Sequence, residues 1–157
     1  MEKILFDILS HGVEQTEAFG AELGRMLSDK NSDIPLFIAL YGDLGVGKTA
    51  LTRGIASVIS PSALVRSPTF ALVNQYKSPS IPLFHFDMYR ITDDDDLYST
   101  GFYDYLESCE RRRAICVVEW SENIPYALPE SYLKVKIEKT EADEQERHIT
   151  AALVSNT

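Results

Sequence analysis

Apolar and polar positions change period along the chain, and each change marks an element. The opening "ILFDILS" has the composition of a strand. From Val13 to Ser28, Phe19, Leu23, Met26 and Leu27 recur at i, i+4, i+7 and i+8, the spacing of one helix face. "NSDIP" is turn material, and Leu36 to Tyr41 is a short continuous apolar run, as expected of a parallel strand buried on both faces. A second helix is predicted from Lys48, with Leu51, Ile55, Val58 and Ile59 as its inner stripe. Pro61 stops it, because the residue before a proline is pushed out of helical geometry.

Further on, "SPTFALVNQY" and "LFHFDMY", separated by the turn-rich "KSPSIP", predict two strands paired antiparallel. Asp93 to Asp96 open a segment in which Leu97, Phe102, Tyr105 and Leu106 fit a short, broken helix; the acids either favour its N-terminal end through the helix dipole or are simply a solvated start. "AICVVEW" reads as another buried strand, and "YLKVKIEK" and "RHITAALV" flank the acidic "TEADEQE" as a closing hairpin. With no repeat, linker or low-complexity tail, the pattern predicts a single domain over residues 1–157. Its class is α/β, a mixed sheet with flanking helices and antiparallel hairpins.

A chain of 157 residues buries a sufficient core without staples. Cys109 and Cys116 lack C-x-x-C spacing and a His cluster, so reduced, structural thiols are expected. No apolar run approaches the ~20 residues of a membrane span, and Glu2 and Asp7 interrupt any signal-like stretch. The expectation is a cytoplasmic protein with no membrane contact. A formal net charge of -9 opposes autonomous binding to nucleic acid, since Lys and Arg supply most non-specific affinity for phosphates. Any such role needs a partner's basic surface. His11, His85 and His148 are far apart, without metal-ligand spacing, and read as structural.

The chemistry concentrates in "GDLGVGKT". The pattern G-x-x-x-x-G-K-[ST] is complete at Gly42, Gly47, Lys48 and Thr49, between a predicted strand and a predicted helix. Glycines let backbone N–H groups turn onto a polyphosphate at a helix N-terminus; Lys48 reaches the outer phosphates and the Thr49 hydroxyl can ligate Mg²⁺. Asp43, Leu44, Gly45, Val46, Gly47, Lys48, Thr49 and Ala50 therefore form the expected nucleotide-binding stretch. Such a site also needs an acid at the end of a neighbouring strand. Glu119, after four apolar residues, is the better metal ligand, which leaves Asp87 to fix an attacking water or support the metal's surroundings. Either acid could instead be a plain surface carboxylate. Thr69 in "SPTF" follows the P-loop helix, where related folds sense the terminal phosphate through a hydroxyl, although a turn residue after Pro68 would read the same. Trp120 lies near the nucleotide if Glu119 does, or else fills the core.

Taken in order, "GDLGVGKT", "SPTF", "LFHFDMYR" and "VVEWSENIP" resemble the bacterial TsaE (YjeE) family of P-loop ATPases over nearly the whole chain. The resemblance implies a role in making N6-threonylcarbamoyladenosine at position 37 of tRNAs that read codons beginning with A, alongside TsaB and TsaD. It implies ATP and Mg²⁺ as cofactors, with Lys48 and Thr49 on both, Glu119 on the metal, and Thr69 and Asp87 in switch-like loops around the phosphates. It also implies a threonine near the adenine, placed at Thr16, and transfers nothing to the "TEADEQE" tip. The reading is thus an ATPase that resets a tRNA-modifying complex and meets tRNA only through it. The rivals are a small-molecule kinase, with Arg111 to Arg113 as a phosphate-clamping lid, and a binding module whose nucleotide only shapes an interface.

Overall fold

The computed structural model describes residues 1–43, 45–68 and 72–156. Among these, β1 (Glu2–Ser10), β2 (Phe37–Tyr41), β3 (Val73–Tyr76), β4 (Leu83–Asp87), β5 (Ile115–Glu119), β6 (Ser131–Lys139) and β7 (Arg147–Ser155) form one sheet. The strand order is β1-β7-β6-β2-β5-β4-β3. The centre, β6-β2-β5-β4, is parallel, and the β1-β7-β6 and β4-β3 flanks are antiparallel, so the sheet is mixed as expected. The sequence pattern does not reveal that β5 inserts between β2 and β4, or that the closing hairpin lies beside β2.

Among the described residues four α-helices flank the sheet: α1 (Val13–Ser28), α2 (Lys48–Ile59), α3 (Asp94–Ser99) and α4 (Phe102–Glu110). α1 and α2 press together through glycines. A Cβ on Gly54 would lie 2.1 Å from the Glu17 carbonyl oxygen, and one on Gly20 2.3 Å from that of Leu51, so the two backbones touch where any side chain would part them. Val58, expected on the inner stripe of α2, is only half-buried, since its side chain packs beside Gly24 at the helix–helix seam; Ala56, Leu51, Ile55 and Ile59 are buried.

The acids at the start of α3 have a definite task. The Asp93 side chain accepts a hydrogen bond from the Asp96 amide and caps the helix. Gly101, in the left-handed region at φ 80°, breaks α3 from α4.

Alternation along β4 sets the site. Phe84 and Phe86 stack against Tyr105 and Phe102 of α4, with ring centroids 4.7–5.4 Å apart. Successive strand side chains face opposite sides, so His85 and Asp87 point to the other face, towards the P-loop. Cys109 and Cys116 are buried free thiols, and the hydrogen bond with Cys109, followed by burial, pushes Cys116 well above the usual thiol range.

Candidate nucleotide site

The turn after β2 is built from glycines in conformations that other residues rarely adopt. Gly42 and Gly47 have φ of 150° and 121°. Gly42 has no room for a side chain either, because a Cβ there would lie 2.6 Å from the Ile137 carbonyl oxygen. The chain then enters α2, whose first amides have no partner within the helix and open towards the loop. Lys48 folds back inside: its Nζ donates to the Gly42 carbonyl at 2.6 Å and lies 3.8 Å from the centre of the Trp120 ring. Burial lowers the pKa of this ammonium, while Glu119, Glu122, Asp87 and Asp43 pull it back up. The charge is held by a carbonyl and a ring face, both of which a phosphate can replace.

Across the cavity, Asp87 and Glu119 end the adjacent parallel strands β4 and β5 and are direct partners in the register. Both are buried. Asp87 accepts from the Tyr89 amide at 2.9 Å and from the Ser67 hydroxyl at 3.3 Å, which fixes both of its oxygens. Glu119 Oε2 is bonded to Nε2 of His85, which is fully buried. Trp120 turns out of β5 with φ 59°, a strained value for a bulky residue, and this turn lays its ring over Lys48 and against Tyr89.

Lys48, Thr49, Ser67, Asp87, Glu119 and Trp120 line one cavity of about 570 Å³, the size of an ordinary small-molecule site. Among the described residues, no cluster of three or more His, Cys, Asp or Glu could hold a metal by itself. The hard oxygens of Thr49, Glu119 and Asp87 fit Mg²⁺, which takes one or two protein carboxylates and completes its shell with phosphate oxygens and water.

Thr16, Gly47 and Ala50 line a smaller recess of about 70 Å³ on the other side of the loop, and the Thr16 hydroxyl lies 2.7 Å from that of Ser10. Asp43 faces a third groove, with Lys134 and Lys136, and Val46 borders both it and the small recess. Leu44 and Thr69 lie outside the described residues. Four participants escape the sequence reading: Ser67, His85, Tyr89 and Arg147. Arg147, at the base of the closing hairpin, donates its Nε to the Val46 carbonyl at 2.8 Å and so pins the loop, although nothing functional was expected around that hairpin tip. The arginine lid is overturned. Arg112 donates to the Ile34 and Ser32 carbonyls ahead of β2, and Arg111 pairs with Glu107, at the end of the strands opposite the cavity.

Residues 10–149 match the family model described as threonylcarbamoyl adenosine biosynthesis protein TsaE. The chain belongs to the TsaE family. It is 37% identical to the tRNA threonylcarbamoyladenosine biosynthesis protein TsaE of Haemophilus influenzae over 120 residues, which is 76% of this chain and 73% of that protein. It is 35% identical to the Bacillus subtilis TsaE over 119 residues, 76% and 70% of the two chains. The crystal structure of Bacillus subtilis YdiB superposes with a TM-score of 0.72 at 28% identity, covering 99% of this chain and 89% of that one. Membership in TsaE places the chain in tRNA threonylcarbamoyladenosine biosynthesis, and the matched TsaE span contains every side chain that lines the large cavity.

Proposed function

We propose that this chain binds ATP with Mg²⁺ and hydrolyses it, resetting a cytoplasmic complex with TsaB and TsaD that makes threonylcarbamoyladenosine, and that it meets tRNA only through that complex. One observation carries the reading: Lys48 and Thr49 at the start of α2 share a cavity with two buried acids aligned side by side on parallel strands. Loop amides and Lys48 hold the phosphates, and Lys48 gives up the Gly42 carbonyl to do so. Thr49 and Glu119 would hold the metal, which supplies charge neutralisation on the phosphate oxygens. Asp87, fixed by Ser67 and the Tyr89 amide, is oriented to accept a hydrogen bond from an attacking water. Thr69 belongs to this proposal by resemblance alone.

With Arg111 to Arg113 at the far end of the sheet, the kinase reading loses its clamp. Single-turnover hydrolysis of ATP, with and without the partner complex, tests the proposal. Turnover that rises with the partners supports it. Binding without turnover in either case leaves the nucleotide as a structural ligand and sinks the ATPase role.

A further inference from the structure

Glu119 sits at the end of a buried polar chain that begins outside the cavity. The Tyr76 hydroxyl on β3 is anchored to the main chain of Arg66: it receives the Arg66 amide at 3.2 Å and lies 3.2 Å from the Arg66 carbonyl. The same hydroxyl lies 3.5 Å from His85 Nδ1, and His85 Nε2 holds Glu119 Oε2. His85 is fully buried and Tyr76 nearly so, and neither lines the cavity. An ionised carboxylate only accepts hydrogen bonds, so Nε2 carries a proton towards it and Nδ1 is left facing Tyr76.

We infer that His85, braced by Tyr76, is a positioning residue that fixes the Glu119 carboxylate for a divalent cation. The inference rests on the proposal that this cavity takes a metal–nucleotide. A glutamate has three side-chain torsions to order, and a ligand already held at one oxygen needs no further ordering when the cation arrives. His85 engages one oxygen of the carboxylate and leaves the other to the cavity that Glu119 lines. Packing alone does not require an imidazole here. Leu83, two residues earlier on the same strand face, is buried hydrocarbon. A buried polar ring costs free energy unless its nitrogens find partners. Nε2 has Glu119, and Nδ1 lies beside the Tyr76 hydroxyl, whose proton it shares with the Arg66 carbonyl. Arg66 adds a link to the segment after α2. Its neighbour Ser67 bonds Asp87, so this one stretch braces both acids, one directly and one through Tyr76 and His85.

The test measures Mn²⁺ binding, by the paramagnetic signal of the free ion, to the chain saturated with a non-hydrolysable ATP analogue, and measures binding of the analogue without metal separately. His85→Leu should weaken Mn²⁺ binding by about tenfold or more, the usual cost of losing a group that supports a metal ligand, while metal-free affinity for the analogue stays within about twofold. His85→Gln, which retains an N–H donor, should recover part of the loss. Tyr76→Phe keeps the ring and should give a smaller loss in the same direction, so it carries the test if the His85 variants fail to fold. Unchanged Mn²⁺ affinity in folded variants overturns the inference alone, as does an equal loss in metal-free binding, which would mark His85 as packing. A wild-type chain that binds no Mn²⁺ with the analogue overturns both the inference and the reading beneath it.

Discussion

Asp87 and Glu119 are Cα partners at the ends of two parallel strands, yet their carboxylates are held by different groups: Asp87 by Ser67 and a backbone amide, Glu119 by a buried imidazole. Different supports imply different tasks. Glu119→Ala should raise the Mg²⁺ concentration needed for tight nucleotide binding. Asp87→Asn should leave binding within a few-fold and slow hydrolysis, by about 10²-fold or more if it orients the water. Calorimetric titrations at several Mg²⁺ concentrations, paired with single-turnover rates, separate the two. The assignment is reversed if Asp87→Asn loses the metal dependence and Glu119→Ala keeps it.

Lys48 and Trp120 are in contact, so each reports on the other. A phosphate that draws Lys48 away from the ring should change the emission of the only tryptophan. The change should be present with ATP or ADP and absent in Lys48→Ala, whose nucleotide binding is also lost. If its hydroxyl serves the metal as proposed, Thr49→Ala should weaken binding chiefly when Mg²⁺ is present. Full affinity in both variants would end the P-loop assignment.

These pairings show what the sequence could and could not disclose. Local signals sufficed for α1, whose bounds follow from the apolar period, and for the loop, whose glycines leave few alternatives. An acid closing an apolar run marked Glu119. That Asp87 stands beside it was not legible, because strand order is decided by packing between distant segments rather than by either strand's own pattern. His85 looked like a lone histidine, although its H-x-D spacing placed it on the same strand face as Asp87, a signal that period-two reasoning could have used. Arg147 gave none: it contacts Val46 across a separation of 101 residues, from the base of a hairpin whose polar tip reads as solvated.

Alkali offers a test of the α3–α4 corner, away from the cavity. Burial, followed by the hydrogen bond to Asp94 and its charge, raises Tyr103 from the ordinary 10.0 to about 12. Between those values the folded chain keeps the phenol proton and the unfolded chain sheds it. The contribution of Tyr103 to stability is therefore complete below pH 10 and is lost as the pH rises towards 12. Thermal melts across this window should fall more steeply for the wild type than for Tyr103→Phe, which has no proton to retain. Parallel curves would mean that Tyr103 titrates at its ordinary value.

A chain of net charge -9 meets a polyanion with long-range repulsion, and it gains from counterion release only where lysines or arginines gather. The one groove where described lysines gather, with Lys134, Lys136 and Lys139, is also lined by Asp43, Glu122 and Glu138, and several of the other cations are matched. Lys134 pairs with Glu2 and Lys136 with Glu138, Arg53 is matched by Glu17 and Arg111 by Glu107. Arg112 and Arg147 are committed to backbone carbonyls. The isolated chain should therefore bind tRNA weakly or not at all, and whatever it does to tRNA in the assembled complex should follow its nucleotide state. The measurement is tRNA binding over a salt series for the chain alone, for the partner complex, and for that complex with the chain in ATP, ADP or non-hydrolysable-analogue form. Tight, steeply salt-dependent binding by the chain alone would defeat the idea. So would a modification rate in the full complex that is indifferent to Lys48→Ala, because the chain's contribution would then depend on neither the nucleotide nor its hydrolysis.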